Sequence, residues 1–512
     1  MLASKPIAPG HLWSTAADEP GRGRRVAQIV KGYLGFMDRF LEEAVRVRPS
    51  VRQLRWQRME FYGFVHFGMN TFTNREWGTG LEDPKLFNPT QFDAGQWVQA
   101  SKSARMRGLI LTCKHHDGFC LWPSQLTSHS VRSSAWKDGK GDIVREVAEA
   151  CRAGNLEFGV YLSPWDRHEP CYGDSPAYNR FFLGQLEELL SGYGPVFTVW
   201  FDGACGEGKN GKRQQYDWDA YYATIRKLQP EAVISVCGPD TRWCGNEAGH
   251  CRKNEWSVVP AQLRDIEKIA DKSQKLDDGE FSRRISSSDE DLGSREAIRD
   301  AGPLVWYPAE VNTSIRPGWF YHAEQDQVVR SLEELLEIYY QAVGGNANLL
   351  LGIPPDTRGL FHENDAARLA EIGAALQASL GHDLAASATV TATESLDDAH
   401  RPEQVLSGDQ SLFWRPGDGV ERATLTLRFP EEQWIDKVVL MEHIESGQRI
   451  EAFALASEHQ GSWRRLFSGN SVGYKRICRF EPVQIRALRV EIGASREYPT
   501  LASLGAYRSP AD

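Results

Sequence analysis

Over most of its length the chain alternates between short apolar runs and longer segments in which apolar residues recur at helical spacing. Apolar runs of this length are typical of buried strands. The predicted strands lie at 63–69, 107–114, 157–163, 196–202, 232–237, 304–310 and 348–353, with an eighth around 255–260. The predicted helices between them lie at 94–105, 142–153, 176–192, 218–228 and 331–343. Strands that alternate with helices predict an α/β fold, here a (β/α) barrel, whether regular or irregular.

After a helix at 364–380 the pattern changes to short alternating segments without a helical period. These segments lie at 387–393, 411–415, 423–429, 434–441, 450–456, 463–467 and 484–492. Alternation of this kind predicts a β-sandwich that follows the barrel.

Three regions follow from these patterns. Residues 1–50 form an N-terminal extension with an amphipathic helix from Val26 to Leu41, residues 51–382 form the barrel, and residues 383–512 form the β-sandwich. Within the barrel region, residues 264–300 are strongly polar and predict a long surface loop.

Composition and charge narrow the class of protein. The chain has 512 residues, too many for one compact core, and its 41% hydrophobic and 25% charged residues are ordinary globular usage. The net charge of -10 argues against a nucleic-acid partner, because phosphate binding relies on clustered Lys and Arg. No stretch approaches the roughly 20 apolar residues that span a bilayer. No apolar stretch of the signal-peptide type follows the first Met. We therefore expect neither a membrane span nor a signal peptide in this sequence. The compartment and the oligomeric state stay open.

The nine cysteines are scattered and odd in number, which favours reduced thiols over a disulfide framework. Cys113 and Cys120 bracket His115 and His116, but this spacing matches no zinc pattern. We therefore expect no metal and no cofactor.

The predicted strand at 196–202 ends in an acid, Asp202, followed by Gly203. In a (β/α) barrel the catalytic groups come from the carboxyl ends of several strands. Asp202 is therefore a candidate reacting residue, although an Asp in this position can also be a helix cap or a turn former.

Other chemically active residues follow the ends of neighbouring predicted strands. In chain order they are His66, Glu76, Trp77, His115, His116, Tyr161, Trp165, Glu247, Glu310, Arg316 and Trp319. Aromatic planes among short polar donors suit a sugar, and two carboxylates suit glycoside cleavage. No Gly-rich phosphate loop, dinucleotide fingerprint or nucleophile-elbow serine competes with this interpretation.

Each of these residues also has a structural interpretation. His115 and His116 could be a core pair, and Trp77, Trp165 and Trp319 could be core or rim packing. Their joint placement at strand ends is what favours a site.

These motifs, taken in order, resemble the α-L-fucosidases of glycoside hydrolase family 29 over about residues 50–380. The resemblance rests on the following segments: His66-Phe67-Gly68, Glu76-Trp77, Lys114-His115-His116-Asp117-Gly118-Phe119, Trp200-Phe201-Asp202-Gly203, Asn348-Leu349-Leu350-Leu351 and Ile353-Pro354-Pro355. It implies a (β/α) barrel followed by a β-sandwich, and a retaining hydrolase with Asp202 as nucleophile. It also implies that fucose is held by His66, Glu76, Trp77, His115, His116 and Tyr161, with Arg316 and Trp319 in the same pocket.

The segments 242–247 and 308–320 resemble the subgroup specific for α-1,3/4-linked fucose. The resemblance implies that Glu247 is the acid/base and that Glu310 contacts a neighbouring galactose. It also implies that the substrate is a Lewis-type or core α-1,3-fucosylated oligosaccharide or glycoconjugate. A broad-specificity α-L-fucosidase and a lectin-like fucose-binding protein are the alternatives. In the C-terminal region, Trp414, Trp434, Trp463 and Tyr474 are compatible with a sugar-binding module or with a scaffold packed on the barrel.

Overall fold

The computed structural model describes residues 40–265 and 291–510. The described chain begins with a helix at 40–46, followed by the helix Val51–Gln57, which opens on a capping box between Ser50 and Gln53. The amide of Gln53 also donates to the carbonyls of Asp240 (2.8 Å) and Trp306 (2.9 Å), so this helix is tied to the body that follows. Most of the predicted helix from Val26 to Leu41 lies outside the described residues.

An eight-stranded parallel sheet forms the centre of the first domain. Its strands are β1 (Phe61–Val65), β2 (Gly108–Lys114), β3 (Glu157–Leu162), β4 (Thr198–Phe201), β5 (Val233–Val236), β6 (Arg242–Trp243), β9 (Ala309–Ser314) and β10 (Ala347–Gly352). They pair in the order β5-β4-β3-β2-β1-β10-β9-β6. A single bridge between Ser235 and Thr241 joins the two ends of this order, so the sheet is a nearly closed barrel, as predicted.

Helices cover the outside of the barrel, and they lie where the sequence pattern predicts them. They are Ala94–Ser103, Ile143–Gly154, Ser175–Gly192, Trp218–Leu228, Leu332–Ala342 and Glu363–Leu380. The first two begin after Asp93 and Asp142, whose carboxylates accept backbone N–H groups of the first turn. Their apolar faces pack on the strands, and this leaves the strand ends free to form a site.

Two strand predictions in the barrel were wrong. The segment near 255–260 is not a barrel strand, because β7 (Val258–Pro260) pairs antiparallel with β8 (Leu304–Trp306) in a separate two-stranded sheet. The predicted strand at 304–310 is also wrong in its bounds, because the barrel strand there is the polar β9, which begins five residues after 304. The remaining barrel strand is the two-residue β6. Residues 266–290 of the predicted loop at 264–300 lie outside the described residues. Near the end of this predicted loop the structure has a short helix, Arg295–Ile298.

The C-terminal region folds into a six-stranded antiparallel sheet, which confirms the predicted all-β character. Its strands are β11 (Thr389–Ala392), β12 (Ala423–Met441), β13 (Ile450–His459), β14 (Ser462–Gly469), β15 (Arg476–Ser495) and β16 (Ser503–Tyr507). The long strands β12 and β15 pair along most of their length, with register shifts near Arg428 and Ile435. Alternate residues of these strands form a core of their own.

The aromatic residues singled out in this region have different environments. Trp414 is fully buried and donates to the carbonyl of Glu394, and Tyr474 donates its hydroxyl to Glu60 at the barrel (3.0 Å). Trp463 lies under the guanidinium of Arg489. Trp434 is 43% exposed.

Polar contacts join the C-terminal sheet to the barrel. Beside Tyr474, Lys475 Nζ also lies 2.6 Å from Glu60 Oε1, and the side chain of Asn346 accepts the backbone N–H of Tyr474 at 2.7 Å. Within the described ranges, no helix has the length and apolar character needed to cross a bilayer.

Candidate active site

A pocket opens at the carboxyl ends of the barrel strands and encloses about 570 Å³, its open mouth included. Its lining residues are Phe64, His66, Trp77, His115, His116, Trp200, Asp202, Gly203, Ala204, Val236, Trp243, Glu247, Asn312 and Trp319. Most of them lie near the carboxyl ends of β1, β2, β4, β5, β6 and β9 or in the loops that follow these strands, as the barrel topology requires. The pocket thus brings together Asp202, Glu247, three histidines and several aromatic rings.

Asp202 directly follows β4 and keeps 24% of its side chain exposed. Its Oδ1 accepts the backbone N–H of Ala204 (2.7 Å), and its Oδ2 accepts the hydroxyl of Tyr161 (3.0 Å). Burial raises the pKa of Asp202 above its ordinary value, while these donors lower it. Nε2 of His116 is 4.0 Å from Oδ2, beyond hydrogen-bond range. Neutral donors therefore orient this carboxylate.

Glu247 lies in the segment after β6 and lines the same pocket. Its Oε2 accepts the indole N–H of Trp319 at 3.1 Å. The pKa of Glu247 is raised to about 7, chiefly because burial removes solvent; the hydrogen bond from Trp319 lowers it, and the negative charges of Asp202 and Glu76 add to the rise. At neutral pH a substantial fraction of Glu247 therefore carries a proton. A protonated acid beside an oriented carboxylate is the arrangement that acid-assisted bond cleavage requires.

The three histidines of the pocket are neutral. Burial lowers the pKa of His116 to about 3 and holds the pKa of His66 and His115 well below the ordinary value. Ser163 fixes His116 through its Nδ1 at 2.7 Å, and Asn70 lies 3.3 Å from Nδ1 of His115. Neutral imidazoles in fixed orientations suit hydrogen bonding to hydroxyl groups rather than ion pairing.

Aromatic rings form much of the pocket wall. Trp77 packs edge-on against His116 (5.7 Å) and Trp165 (5.5 Å), and Trp319 lies against His66 (5.0 Å between ring centroids). Tyr161 does not line the pocket but stacks on Trp200, whose ring does. Flat apolar walls among polar donors match a sugar, which has an apolar ring face and a polar edge.

Sequence reasoning missed several lining residues. Trp243 belongs to the short strand β6 and donates its indole N–H to Asn312 Oδ1 (2.8 Å), so the two form one polar element of the wall. Asn312 lies in β9, which the hydrophobic pattern did not reveal. In the sequence, Phe64 and Trp200 are parts of predicted apolar strands, and neither was predicted to line the site. Trp200 belongs to the family motif Trp200-Phe201-Asp202-Gly203.

Backbone conformation is constrained at Val236 in the pocket wall and at Gly352 behind Trp319. Val236, at the end of β5, has φ of 65°, which is strained for a β-branched residue and costs about 1–3 kcal/mol. Gly352, at the end of β10, leaves room for Trp319, because a Cβ at this position would lie 2.8 Å from the indole ring. Strain and close approach of this kind are characteristic of a preorganised site.

Glu310 and Arg316 do not lie where their predicted roles require. Glu310 is fully buried inside the barrel, where it accepts the indole N–H of Trp200 (2.7 Å) and the hydroxyl of Tyr62. It supports the pocket lining from behind and has no surface for a galactose. Arg316 is also fully buried, and its guanidinium forms ion pairs with Asp365 (2.8 Å) and Asp326 (2.9 Å). It does not line the pocket, which removes the basis for a direct contact with fucose.

Glu76 is also absent from the lining. It is 4% exposed and accepts hydrogen bonds from the loop that carries Trp319. Of the predicted site residues, the pocket therefore collects His66, Trp77, His115, His116, Asp202, Glu247 and Trp319.

Comparison with known proteins places this pocket in a family context. A family model described as alpha-L-fucosidase matches residues 50–379. Alpha-L-fucosidase 1 of Arabidopsis thaliana is 40% identical over 466 residues, which cover 90% of this chain and 87% of that protein. A Ruminococcus gnavus family 29 fucosidase solved with fucose is 30% identical and superposes with a TM-score of 0.78, covering 91% of this chain and 95% of its own. A family 29 member from a rumen bacterium is 36% identical, with a TM-score of 0.74 over 91% and 78% of the two chains.

Proposed function

Since the chain belongs to the alpha-L-fucosidase family, glycoside hydrolase family 29, we propose that it is a retaining exo-enzyme for α-1,3/1,4-linked fucose on branched glycans. The observation that carries the proposal is the pairing of Asp202 with Glu247 in one pocket. The two carboxyl groups have different surroundings, and the pKa of Glu247 is raised to about 7. Groups that differ in this way take different roles in acid-base chemistry.

In the first step, Asp202 attacks the anomeric carbon of fucose and forms a covalent ester. The bond from that carbon to the glycosidic oxygen breaks, and Glu247 delivers its proton to the departing oxygen. Tyr161 and the N–H of Ala204 hold Asp202 in its reactive orientation. The product of this step is a fucosyl-enzyme and a free aglycone hydroxyl.

In the second step, Glu247, now ionised, removes a proton from water as the water attacks the same carbon. The ester bond to Asp202 breaks, and fucose leaves with its original anomeric configuration. Two displacements at one carbon restore the starting stereochemistry, and Glu247 regains its proton for the next cycle.

The proposed linkage preference is supported by the segment of the chain that carries Glu247. Glu247 comes from the segment 242–247, whose sequence resembles the α-1,3/4-specific subgroup, and it lies at the pocket beside Trp319. Trp243 and Asn312 form a hydrogen-bonded pair in the same wall and offer an aromatic plane and an amide to a second sugar. These features favour a branched substrate over a simple aryl fucoside.

A panel of defined glycans tests the proposal. The protein is incubated with Lewis a, Lewis x, H-type 2 and core α-1,3-fucosylated glycans, and free fucose is measured. We expect release from the 3- and 4-linked substrates and little from the 2-linked one. Equal release from all four indicates a broad-specificity fucosidase, and release from H-type 2 alone contradicts the linkage assignment.

Two variants test the chemistry. D202A abolishes turnover on every substrate while leaving the fold intact. E247A slows natural glycans much more than aryl fucosides with good leaving groups, because only the glycans need protonation. Binding of fucose with no hydrolysis by the unmodified protein instead supports the lectin-like alternative.

A further inference from the structure

A second cavity lies where the barrel meets the C-terminal sheet. It encloses about 980 Å³, its open mouth included, and four of its lining residues are basic: Arg252, Lys253, Arg476 and Arg479. Among the described residues no carboxylate lines it, although the whole chain has a net charge of -10. The cavity is therefore an electropositive place on an acidic protein.

This cavity lies at the end of the barrel opposite the active-site pocket. Gly344 and Gly345 line it just before β10, whose carboxyl end at Gly352 lies behind Trp319. Beside the cavity the backbone N–H of Ile477, from the C-terminal sheet, donates to the carbonyl of Gly344 at 3.0 Å. A Cβ on Gly344 would lie 2.7 Å from Cβ of Ile477, so a glycine allows the two domains to meet this closely. Both domains thus contribute walls to one cavity.

Arg476, the first residue of β15, is buried beside this cavity without a counter-charge. It is 6% exposed, and Nη1 is the one guanidinium nitrogen with a hydrogen bond to a described residue, to the carbonyl of Lys253 at 2.8 Å. Its guanidinium also lies 5.9 Å from the centre of the Phe467 ring. Because Arg476 lines the cavity, its remaining donors are available to a ligand there.

The other buried arginines of the described chain have a different environment, because each forms an ion pair with an Asp or Glu. They are Arg242, Arg252, Arg316, Arg330, Arg449 and Arg496. Charged side chains are almost never fully buried unless they are paired, because an uncompensated buried charge is costly. Arg476 is the exception, a buried positive charge for which residues 40–265 and 291–510 supply no carboxylate.

The neighbouring charges leave room for an external anion. Lys253 is exposed, and its ammonium group makes no hydrogen bond or ion pair with the described part of the chain. Arg479, at the rim, pairs with the half-exposed Glu337 at 2.7 Å, and Arg252 is paired from behind. Two positive charges, those of Arg476 and Lys253, are therefore left without a partner at one cavity.

We propose that this cavity is a binding site for a small oxyanion, such as a phosphate or sulfate, with Arg476 as its buried donor and Lys253 beside it. A guanidinium presents a planar fork of donors that matches two oxygens of such a group. The cavity has room for a free inorganic ion or for one carried on a sugar-sized molecule, and Tyr340 and Phe467 add aromatic surface. It shares no lining residue with the active-site pocket, so the proposal does not rest on the proposed function.

Calorimetric titration of the full chain tests the site. Protein in Tris-chloride buffer is titrated with inorganic phosphate, inorganic sulfate and glucose 6-phosphate, and with sodium chloride at matched ionic strength. We expect one saturable site per chain for at least one oxyanion and none for added chloride. Tighter binding of glucose 6-phosphate than of phosphate assigns the site to an organic ligand, and the reverse order assigns it to a free ion. The absence of saturable binding in all three oxyanion titrations overturns the proposal.

Binding should also stabilise the fold, because the occupant contacts residues from both domains. A ligand that binds only the folded state raises the midpoint of thermal unfolding as its concentration exceeds its Kd. We expect this rise with the oxyanion that binds and not with chloride. An unchanged midpoint at saturating oxyanion contradicts a site between the two domains.

Two variants locate the site. Arg476→Gln removes the buried donor and should weaken oxyanion binding at least about tenfold, since hydrogen bonds to charged groups are the strong ones. Lys253→Glu places a carboxylate beside Arg476 and should abolish binding. Because Lys253 is exposed, this variant keeps the test decisive if Arg476→Gln does not fold. Undiminished binding in Lys253→Glu, or in folded Arg476→Gln, overturns the proposal.

Arg486→Gln is the matched control. Arg486 lies in the same strand β15, is exposed, and donates to a backbone carbonyl, that of Pro430, at 3.3 Å. It removes the same charge but does not line the cavity. Binding should be unchanged in Arg486→Gln, and a loss equal to that of Arg476→Gln shows a general effect of net charge and overturns the site.

Discussion

The hydroxyl of Tyr161 donates to Asp202 Oδ2 at 3.0 Å, from the end of one barrel strand to the end of the next. Together with the N–H of Ala204, it fixes both oxygens of the carboxylate, and among the described residues no positive charge is in contact with them. The nearby histidines are neutral, because burial lowers their pKa. Asp202 is therefore oriented by neutral dipoles, in keeping with the nucleophilic role that we propose for it.

Replacing Tyr161 with Phe should slow the enzyme on every substrate. A hydrogen bond to a charged group is worth about 1.5–3 kcal/mol, or roughly ten- to a hundredfold in kcat/KM. The loss should be similar for good and poor leaving groups, because in the proposed mechanism Asp202 attacks in both cases. Tyr221→Phe is the control, since its hydroxyl binds Asn179 on the outside of the barrel. A loss in Tyr161→Phe no greater than in this control contradicts the role of the hydroxyl.

The pH profile of kcat/KM on a natural glycan should be bell-shaped. Glu247 must be protonated, so activity should fall as the pH rises through about 7. Asp202 must be ionised, so activity should also fall at acid pH, below its own raised pKa. In Trp319→Phe the carboxylate form of Glu247 loses a donor, its pKa rises, and the alkaline limb should move to higher pH. A limb that stays in place or moves to lower pH contradicts this assignment.

Glu310 should make the folded protein less stable as the pH rises. Burial raises its pKa from 4.5 to about 7. The folded state therefore holds a proton that the unfolded chain has already released, and this stabilisation is lost as the pH rises through about 7. Glu310→Gln keeps an acceptor for Trp200, so its free energy of unfolding should depend less on pH between about pH 5 and pH 8. Denaturant unfolding across that range measures the slope, and the 60%-exposed Glu403 gives a control variant, Glu403→Gln. Identical slopes for Glu310→Gln and the unmodified protein would contradict the prediction.

Arg316 should matter for stability rather than for binding. Removing one member of a buried ion pair costs about 3–5 kcal/mol, so Arg316→Leu should lower the free energy of unfolding by that amount. Arg428→Leu breaks an exposed pair with Glu458 and should cost about 0–1 kcal/mol. The folded fraction of Arg316→Leu should keep the KM of the unmodified protein. A raised KM with unchanged stability would restore Arg316 to the pocket.

The fold could be predicted largely because its helices and most of its strands follow their hydrophobic periods. The two errors have a physical cause. β9 carries Glu310, Asn312 and Ser314 into the barrel interior, where polar residues are paired with other buried groups, so it does not look apolar. β6 has only two residues, too few for any period to be recognised.

Within the site, the sequence was sufficient to predict residues that directly follow barrel strands. It was not sufficient to predict which charged residues are held in buried ion pairs or hydrogen bonds. Arg316 is bound to Asp365, which is 49 residues further along the chain. Nothing local distinguishes an arginine held by such a partner from one that faces a ligand. The same applies to Glu76, whose partners lie more than 240 residues away.

In the proposed mechanism Asp202 forms a covalent bond with the sugar, and this bond can be trapped. A 2-deoxy-2-fluoro-fucoside with a good leaving group can trap this bond. The fluorine slows both displacements, but the good leaving group keeps the first one fast enough for the fucosyl-enzyme to accumulate. The protein is then digested, and the labelled peptide is identified by mass spectrometry. We predict a single fluorofucosyl ester on Asp202. A label on another carboxylate, or turnover with inverted configuration and no label, would contradict the account.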